Sequence, residues 1–279
     1  MPEIVKEGVT YLRHGDRALK ARVYRPGGNG PFPAVIDIHG GAWGGGDLAD
    51  GELRNKALSR ASILVAAIEF RDGADGYPSS LQDINYAVRW LKSGADERDV
   101  RPDRLGLTGN SSGAHLAMLA AMRPADPRYM GIPGPAGVDA SVQCVGMLWP
   151  VINPLSRYRH ARGLRESATP PEWVGRIPER QETYWKTEAA MAEGSPVLIL
   201  ECGEKVSLPP ALYIQGRPND GPHDYRDPES LFGGNEPERF VARYREAGGQ
   251  IDFVVVAQAR RAEESVGPSV AFFRAKLMG

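Results

Sequence analysis

Residues 104–122 constrain this chain most. A short apolar run, residues 104–108, leads into Gly109-Asn110-Ser111-Ser112-Gly113, and a small-residue helical stretch, residues 114–122, follows at once. A lone G-x-S-x-G recurs by chance in a chain with 33 glycines, so the setting has to carry the argument. A serine held on a sharp strand-to-helix turn needs glycine on both sides, because neighbouring backbone crowds the turn and Cβ atoms would collide with it. The turn exposes the Ser111 hydroxyl and sets the Ser112 amide at a helix N-terminus, where it and the helix dipole favour a developing oxyanion. Ser111 is therefore the candidate nucleophile and Ser112 a candidate oxyanion donor; the plainer alternative is a small-residue turn that caps a helix.

The remaining pattern fits such a turn. Residues 9–13 and 18–24 flank Gly15-Asp16 as a hairpin. Residues 34–38 and 63–68 are apolar runs without polar alternation, as in strands covered on both faces. Residues 142–149, 211–215 and 251–256 are strand-like. Leu81, Ile84, Ala87, Val88 and Leu91 recur at helical spacing over 79–91, where Ser79 or Ser80 is the expected cap and Asp83 falls in the first turn. Residues 237–247 and 269–277 also have helical spacing, with Gly248-Gly249 as a stop for the first. Strands alternating with helices predict an α/β fold with a mostly parallel sheet and helices on both faces. One domain spans 1–279. Residues 151–196, rich in Arg, Glu, Pro and Trp, read as a cap or lid inserted within it, with a helix over 179–192. Trp173, Tyr184 and Trp185 there either line a substrate pocket or pack the lid onto the body.

Composition narrows the partners. A net charge of -1 gives no electrostatic case for nucleic acid or an anionic membrane. No apolar run approaches the ~20 residues that span a bilayer, and the first residues lack the apolar core of a signal peptide. The expectation is a cytoplasmic protein. Cys144 and Cys202 lie near predicted strands and are expected to be reduced core thiols. No metal-ligand motif or dinucleotide fingerprint stands out, so neither metal nor cofactor is expected.

The second motif is His39-Gly40-Gly41-Ala42-Trp43, which ends the run 34–38. Consecutive glycines free backbone N–H groups to approach a substrate oxygen. With the downstream elbow, Tyr77-Pro78 before the helix bearing Asp83, and residues 209–216, the chain resembles the α/β-hydrolase superfamily, and within it the hormone-sensitive-lipase-like esterases. The resemblance covers nearly the whole chain, most weakly over 153–193 and after Val256. It implies an eight-stranded sheet, an acyl-serine mechanism and small ester substrates, with homodimers through sheet edges or terminal helices as an option. It implies Ser111 as nucleophile, Gly40, Gly41 and Ser112 as oxyanion donors, and His39 as a brace for its own loop. The catalytic acid is expected shortly after Gly216, which makes Asp220 the candidate and Asp224 the reserve; a simple turn aspartate is the competing assignment.

One departure matters. The family's base is a histidine after the final strand, yet here that segment reads Ala257-Gln258-Ala259-Arg260-Arg261-Ala262-Glu263, and no histidine follows His223. Arginine stays protonated and cannot accept the serine proton. Arg260 and Arg261 read as a solvated helix start. Of the other histidines, His14 is expected at the surface, His115 buried in the elbow helix, and His160 in the lid amid Arg157, Arg159 and Arg162. His223, in Asp220-Gly221-Pro222-His223-Asp224, follows the strand that should open above the site and is the candidate base. The leading expectation is a serine carboxylesterase with a relocated base. The alternatives are a degenerate hydrolase fold that binds a ligand or partner without turnover, and non-hydrolytic chemistry at the oxyanion hole.

Overall fold

The computed structural model describes residues 4–279. Its strands are β1 (Val5–His14), β2 (Arg17–Arg25), β3 (Phe32–Ile38), β4 (Leu64–Ile68), β5 (Val100–Asn110), β6 (Cys144–Leu148), β7 (Ala211–Arg217) and β8 (Ile251–Ala257). They form a single sheet in the order β1-β2-β4-β3-β5-β6-β7-β8. Strand β2 runs antiparallel to both neighbours, and every pair from β4 to β8 is parallel. The central strands β3, β4 and β6 are buried along their whole length, which is why their sequences lack polar alternation.

The α-helices are α1 (Glu52–Arg60), α2 (Ser79–Ser93), α3 (Ala95–Arg98), α4 (Ser112–Met122), α5 (Pro154–Arg165), α6 (Ile177–Trp185), α7 (Glu188–Glu193), α8 (Pro196–Glu201), α9 (Glu236–Glu246), α10 (Arg261–Glu264) and α11 (Val266–Leu277). Alternate strand residues feed two apolar cores. Ile36, Leu107, Met147 and Tyr213 pack with α2, α4, α8 and α9 on one face, through Ile84, Leu116, Val197 and Phe240. Val35, Val65, Leu148 and Ile214 pack with α1 and α11 on the other, through Leu58, Phe272 and Phe273. The expected α/β layering, with an eight-stranded mostly parallel sheet, is what forms.

Several local expectations give way to tertiary contacts. Strand β5 starts earlier than residue 104 because Val100 pairs with Phe32 of β3, and β6 is shorter than 142–149. Helix α2 has no serine cap: Ser79 and Ser80 donate instead to the Arg71 carbonyl. Asp83 lies beyond the first turn, fully buried, where it accepts from Arg71 and pairs with His14 at 2.9 Å. His14 is thus half-buried against a carboxylate and not a free surface residue. The continuous helix expected over 179–192 breaks at Lys186, which adopts φ 63°, and Thr187 restarts the chain as the cap of α7 by accepting from the Ala190 amide at 3.1 Å. Cys144 is buried as expected, but Cys202 is exposed at the end of α8. No helix among the described residues is long and apolar enough to cross a membrane.

Candidate active site

Parallel strands deliver their C-terminal ends to one rim of the sheet, and loops from β3, β5 and β7 meet there. Strand β5 is hydrogen-bonded to β3 and β6, which brings Gly109 level with Ile38 and Asn110 level with Leu148. Ser111 then turns with φ 51° and ψ −121°, a strained backbone for a residue with a side chain. Its amide donates to the Leu148 carbonyl at 3.0 Å, and its carbonyl accepts from the Val151 amide at 3.2 Å, so both sides of the turn are pinned. A Cβ on Gly109 would lie 2.6 Å from the Ile38 carbonyl oxygen, and one on Gly113 would collide with the Ile38 and His39 carbonyls. The two glycines allow β5 and α4 to press against β3.

The turn presents Ser111 Oγ 2.9 Å from His223 Nε2. His223 Nδ1 lies 2.7 Å from Asp220 Oδ1, so Nδ1–H donates to the carboxylate and Nε2 is left to accept from the serine hydroxyl. The other carboxylate oxygen accepts from Gln215 Nε2 at 2.8 Å and from Arg261 Nη1 at 3.3 Å. Burial alone would raise the Asp220 pKa, but the hydrogen bond and charge of His223, aided by Arg261 and Gln215, hold it below the usual carboxylate value. Burial lowers the His223 pKa; Asp220 opposes this, and the charges of Arg157 and Arg261 add to it, leaving the imidazole below its ordinary value. His223 is therefore neutral at pH 7, the form that accepts a proton.

The loop after β3 borders the same point. A Cβ on Gly40 would lie 3.4 Å from Ser111 Cβ and 3.1 Å from the Asn110 carbonyl oxygen, and Gly41 sits at φ 111°. The Gly40 and Gly41 amides donate to no group among the described residues. His39 donates from Nδ1 to the Gly40 carbonyl at 2.9 Å and stacks on Phe70 at 4.3 Å, within its own loop.

The other candidates fall elsewhere. Asp224 is engaged by Arg217 at 2.7 and 3.0 Å and by Asn235 at 2.8 Å, and does not touch the imidazole. His115 is buried, accepts from Trp43 Nε1 at 3.3 Å, and donates to the Gly194 carbonyl at 2.7 Å; burial pushes its pKa down to about 4. His160 stacks between Tyr225, at 4.2 Å, and Trp173, at 5.7 Å. Tyr184 and Trp185 are buried against Trp43, at 6.2 and 5.4 Å, and fasten α6 to the loop after β3.

Two contributors escape the sequence pattern. Gln215 lies in the C-terminal half of β7, where nothing marks its side chain as a carboxylate partner. Arg261 follows the final strand, in the segment where the resemblance implies a histidine, and is not the solvated residue expected there: it reaches Asp220 and lies 4.4 Å over the Trp149 ring. The neighbouring Arg260 is exposed and pairs with Glu264.

Comparisons with known proteins agree with this architecture. The model of the BD-FAE family matches residues 22–189, more than half of the chain. The probable carboxylic ester hydrolase LipM of Mycobacterium tuberculosis is 33% identical over 121 residues, which are 41% of this chain and 26% of that protein. The isoprenylcysteine alpha-carbonyl methylesterase ICME of Arabidopsis thaliana is 31% identical over 202 residues, 70% of this chain and 44% of that protein. The chain thus spans less than half the length of these curated relatives. Among solved structures, the thermostable carboxylesterase EstE1 from a metagenomic library superposes with a TM-score of 0.73 at 22% identity, over 99% of this chain and 91% of that one. The hyperthermophilic esterase of Pyrobaculum calidifontis gives 0.74 at 20% identity, over 97% and 83%.

Proposed function

We propose that this chain, which belongs to the BD-FAE family and has the α/β-hydrolase fold, hydrolyses a small carboxylic ester through an acyl-Ser111 intermediate. The observation that carries this reading is the pair of contacts at His223, 2.9 Å to Ser111 Oγ and 2.7 Å to Asp220. His223 takes the hydroxyl proton through Nε2 as Ser111 attacks the ester carbonyl, while Asp220 fixes the tautomer and stabilises the imidazolium. The Gly40, Gly41 and Ser112 amides hold the oxyanion, assisted by the N-terminus of α4. His223 then returns the proton to the departing alcohol, activates a water by the same route, and releases the acid. The segment 151–196 acts as a cap, with Tyr184 and Trp185 anchoring it to the loop that carries the oxyanion donors.

A fluorophosphonate probe tests the assignment directly. A covalent adduct mapped to Ser111, absent in Ser111→Ala together with hydrolysis of p-nitrophenyl acetate, is the expected result. Folded protein that forms no adduct at Ser111 overturns it.

A further inference from the structure

Arg157 is among the most buried large side chains of the molecule, at 1% exposure, although it carries a full charge. It lies in the early turns of α5, within the proposed cap. Its Nε donates to Gln181 Oε1 at 2.7 Å, its Nη2 has no partner among the described residues, and its guanidinium lies 5.2 Å from the Trp43 ring centroid. Burial pulls its pKa down to about 10, which still leaves it cationic at neutral pH.

A buried ion ordinarily sits against an opposite charge, because desolvating it alone is strongly unfavourable. Arg157 pairs with no carboxylate among the described residues. Those around the site are already engaged: Asp220 by His223, Asp224 by Arg217, Glu236 by Arg239 at 2.8 Å. The position is also close to the chemistry. Trp43, beneath the guanidinium, directly follows the loop of Gly40 and Gly41, and its amide donates to Ser112 Oγ at 3.3 Å. The charge of Arg157 acts on His223 itself. A guanidinium with unused donors is the side chain best suited to a carboxylate, which it can bind through two parallel hydrogen bonds.

We propose that Arg157 is a specificity residue that receives a carboxylate borne by the ester, so that the preferred substrates are anionic esters and the substrate supplies the counter-ion the protein lacks. The proposal rests on the serine-hydrolase reading, and its test separates the two. Two pairs of esters differ in charge: 4-acetoxybenzoate against its methyl ester, with the carboxylate on the alcohol side, and monoethyl against diethyl fumarate, with it on the acyl side. The wild-type protein is expected to favour the anionic member of at least one pair. In Arg157→Met that kcat/KM ratio should fall at least about tenfold, and Arg157→Lys should recover part of it. Benzoate should raise the thermal midpoint of Ser111→Ala, and benzamide should not, a readout that needs no turnover and no substitution at Arg157. Cleavage of the esters without charge preference, or a ratio unchanged in folded Arg157→Met, overturns the proposal and leaves the hydrolase reading intact. Benzoate stabilisation in a protein that cleaves none of the four esters and forms no Ser111 adduct overturns the hydrolase reading and leaves Arg157 as a carboxylate-binding residue only.

Discussion

Asp220 and His223 meet 2.7 Å apart across one tight turn, in which the His223 and Asp224 amides both donate to the Asp220 carbonyl, at 2.9 and 2.7 Å. The proposed acid and the proposed base are therefore held together by one turn. Asp224, next along the chain, belongs to a different set of contacts with Arg217 and Asn235.

This division predicts unequal effects of neighbouring substitutions. His223→Ala should lower kcat/KM for a small p-nitrophenyl ester by about 10³-fold or more, with Asp220→Asn also severely impaired through the wrong tautomer. Asp224→Asn should stay within a few-fold of the parent. Steady-state kinetics on the three folded variants decide it, and a collapse in Asp224→Asn with activity kept in Asp220→Asn would exchange the two roles.

The acid limb of the pH profile follows from the direction of the His223 shift. A base works unprotonated, so a folded-state pKa below the ordinary imidazole value of ~6.5 extends activity to lower pH. The inflection of the acid limb of the kcat/KM profile should therefore lie below that value. Burial is the main cause and Arg157 a contributor, so Arg157→Met should move the inflection upward. A wild-type inflection well above 6.5 would contradict the geometry.

Two glycines should respond in opposite directions. Gly113→Ala forces a methyl group into the carbonyls of Ile38 and His39, backbone at the end of a central strand, and should cost about 2 kcal/mol or more. Gly163 lies exposed in α5 with open space where its Cβ would stand, so Gly163→Ala should stabilise by about 0.5–1 kcal/mol. Denaturant midpoints for both variants provide the comparison.

The thiols are equally distinguishable. Cys202 is exposed, and Cys144 is fully buried with its pKa pushed upward by burial. A disulfide reagent added to native protein should titrate Cys202 alone, with Cys144 reacting only after denaturation. Rapid reaction of both thiols in the native protein would contradict the packing around β6.

Much of this was legible in the sequence because backbone geometry left residue-level marks. The glycines around Ser111 and the Gly40-Gly41 pair are required by close approach of the backbone, and the strands β3 and β4 show their double-sided burial as unbroken apolar runs. Asp220 could be nominated because the resemblance implies an acid shortly after Gly216, and His223 because its loop follows the strand that opens above the site. What stayed hidden depends on contacts between distant segments. The roles of Gln215 and Arg261 at Asp220, the capture of His14 by Asp83, and the break at Lys186 have no local pattern of their own. In the sequence Arg157 is one arginine among several; its burial follows from the packing of α5 and α6 over Trp43.

With the acid and base on one turn after β7, the proposed relay is complete by residue 223. Strand β8 and helix α11 supply packing, and from the segment between them one guanidinium, that of Arg261, touches the relay. That ordering separates the proposed relay from the last sheet edge in sequence, while β8 still pairs with the whole length of β7. Phe273 of α11 likewise lies against Gly106 of β5 and Gly146 of β6, so in hydrogen exchange the protection of α11 should be lost together with that of the strand that leads into Ser111.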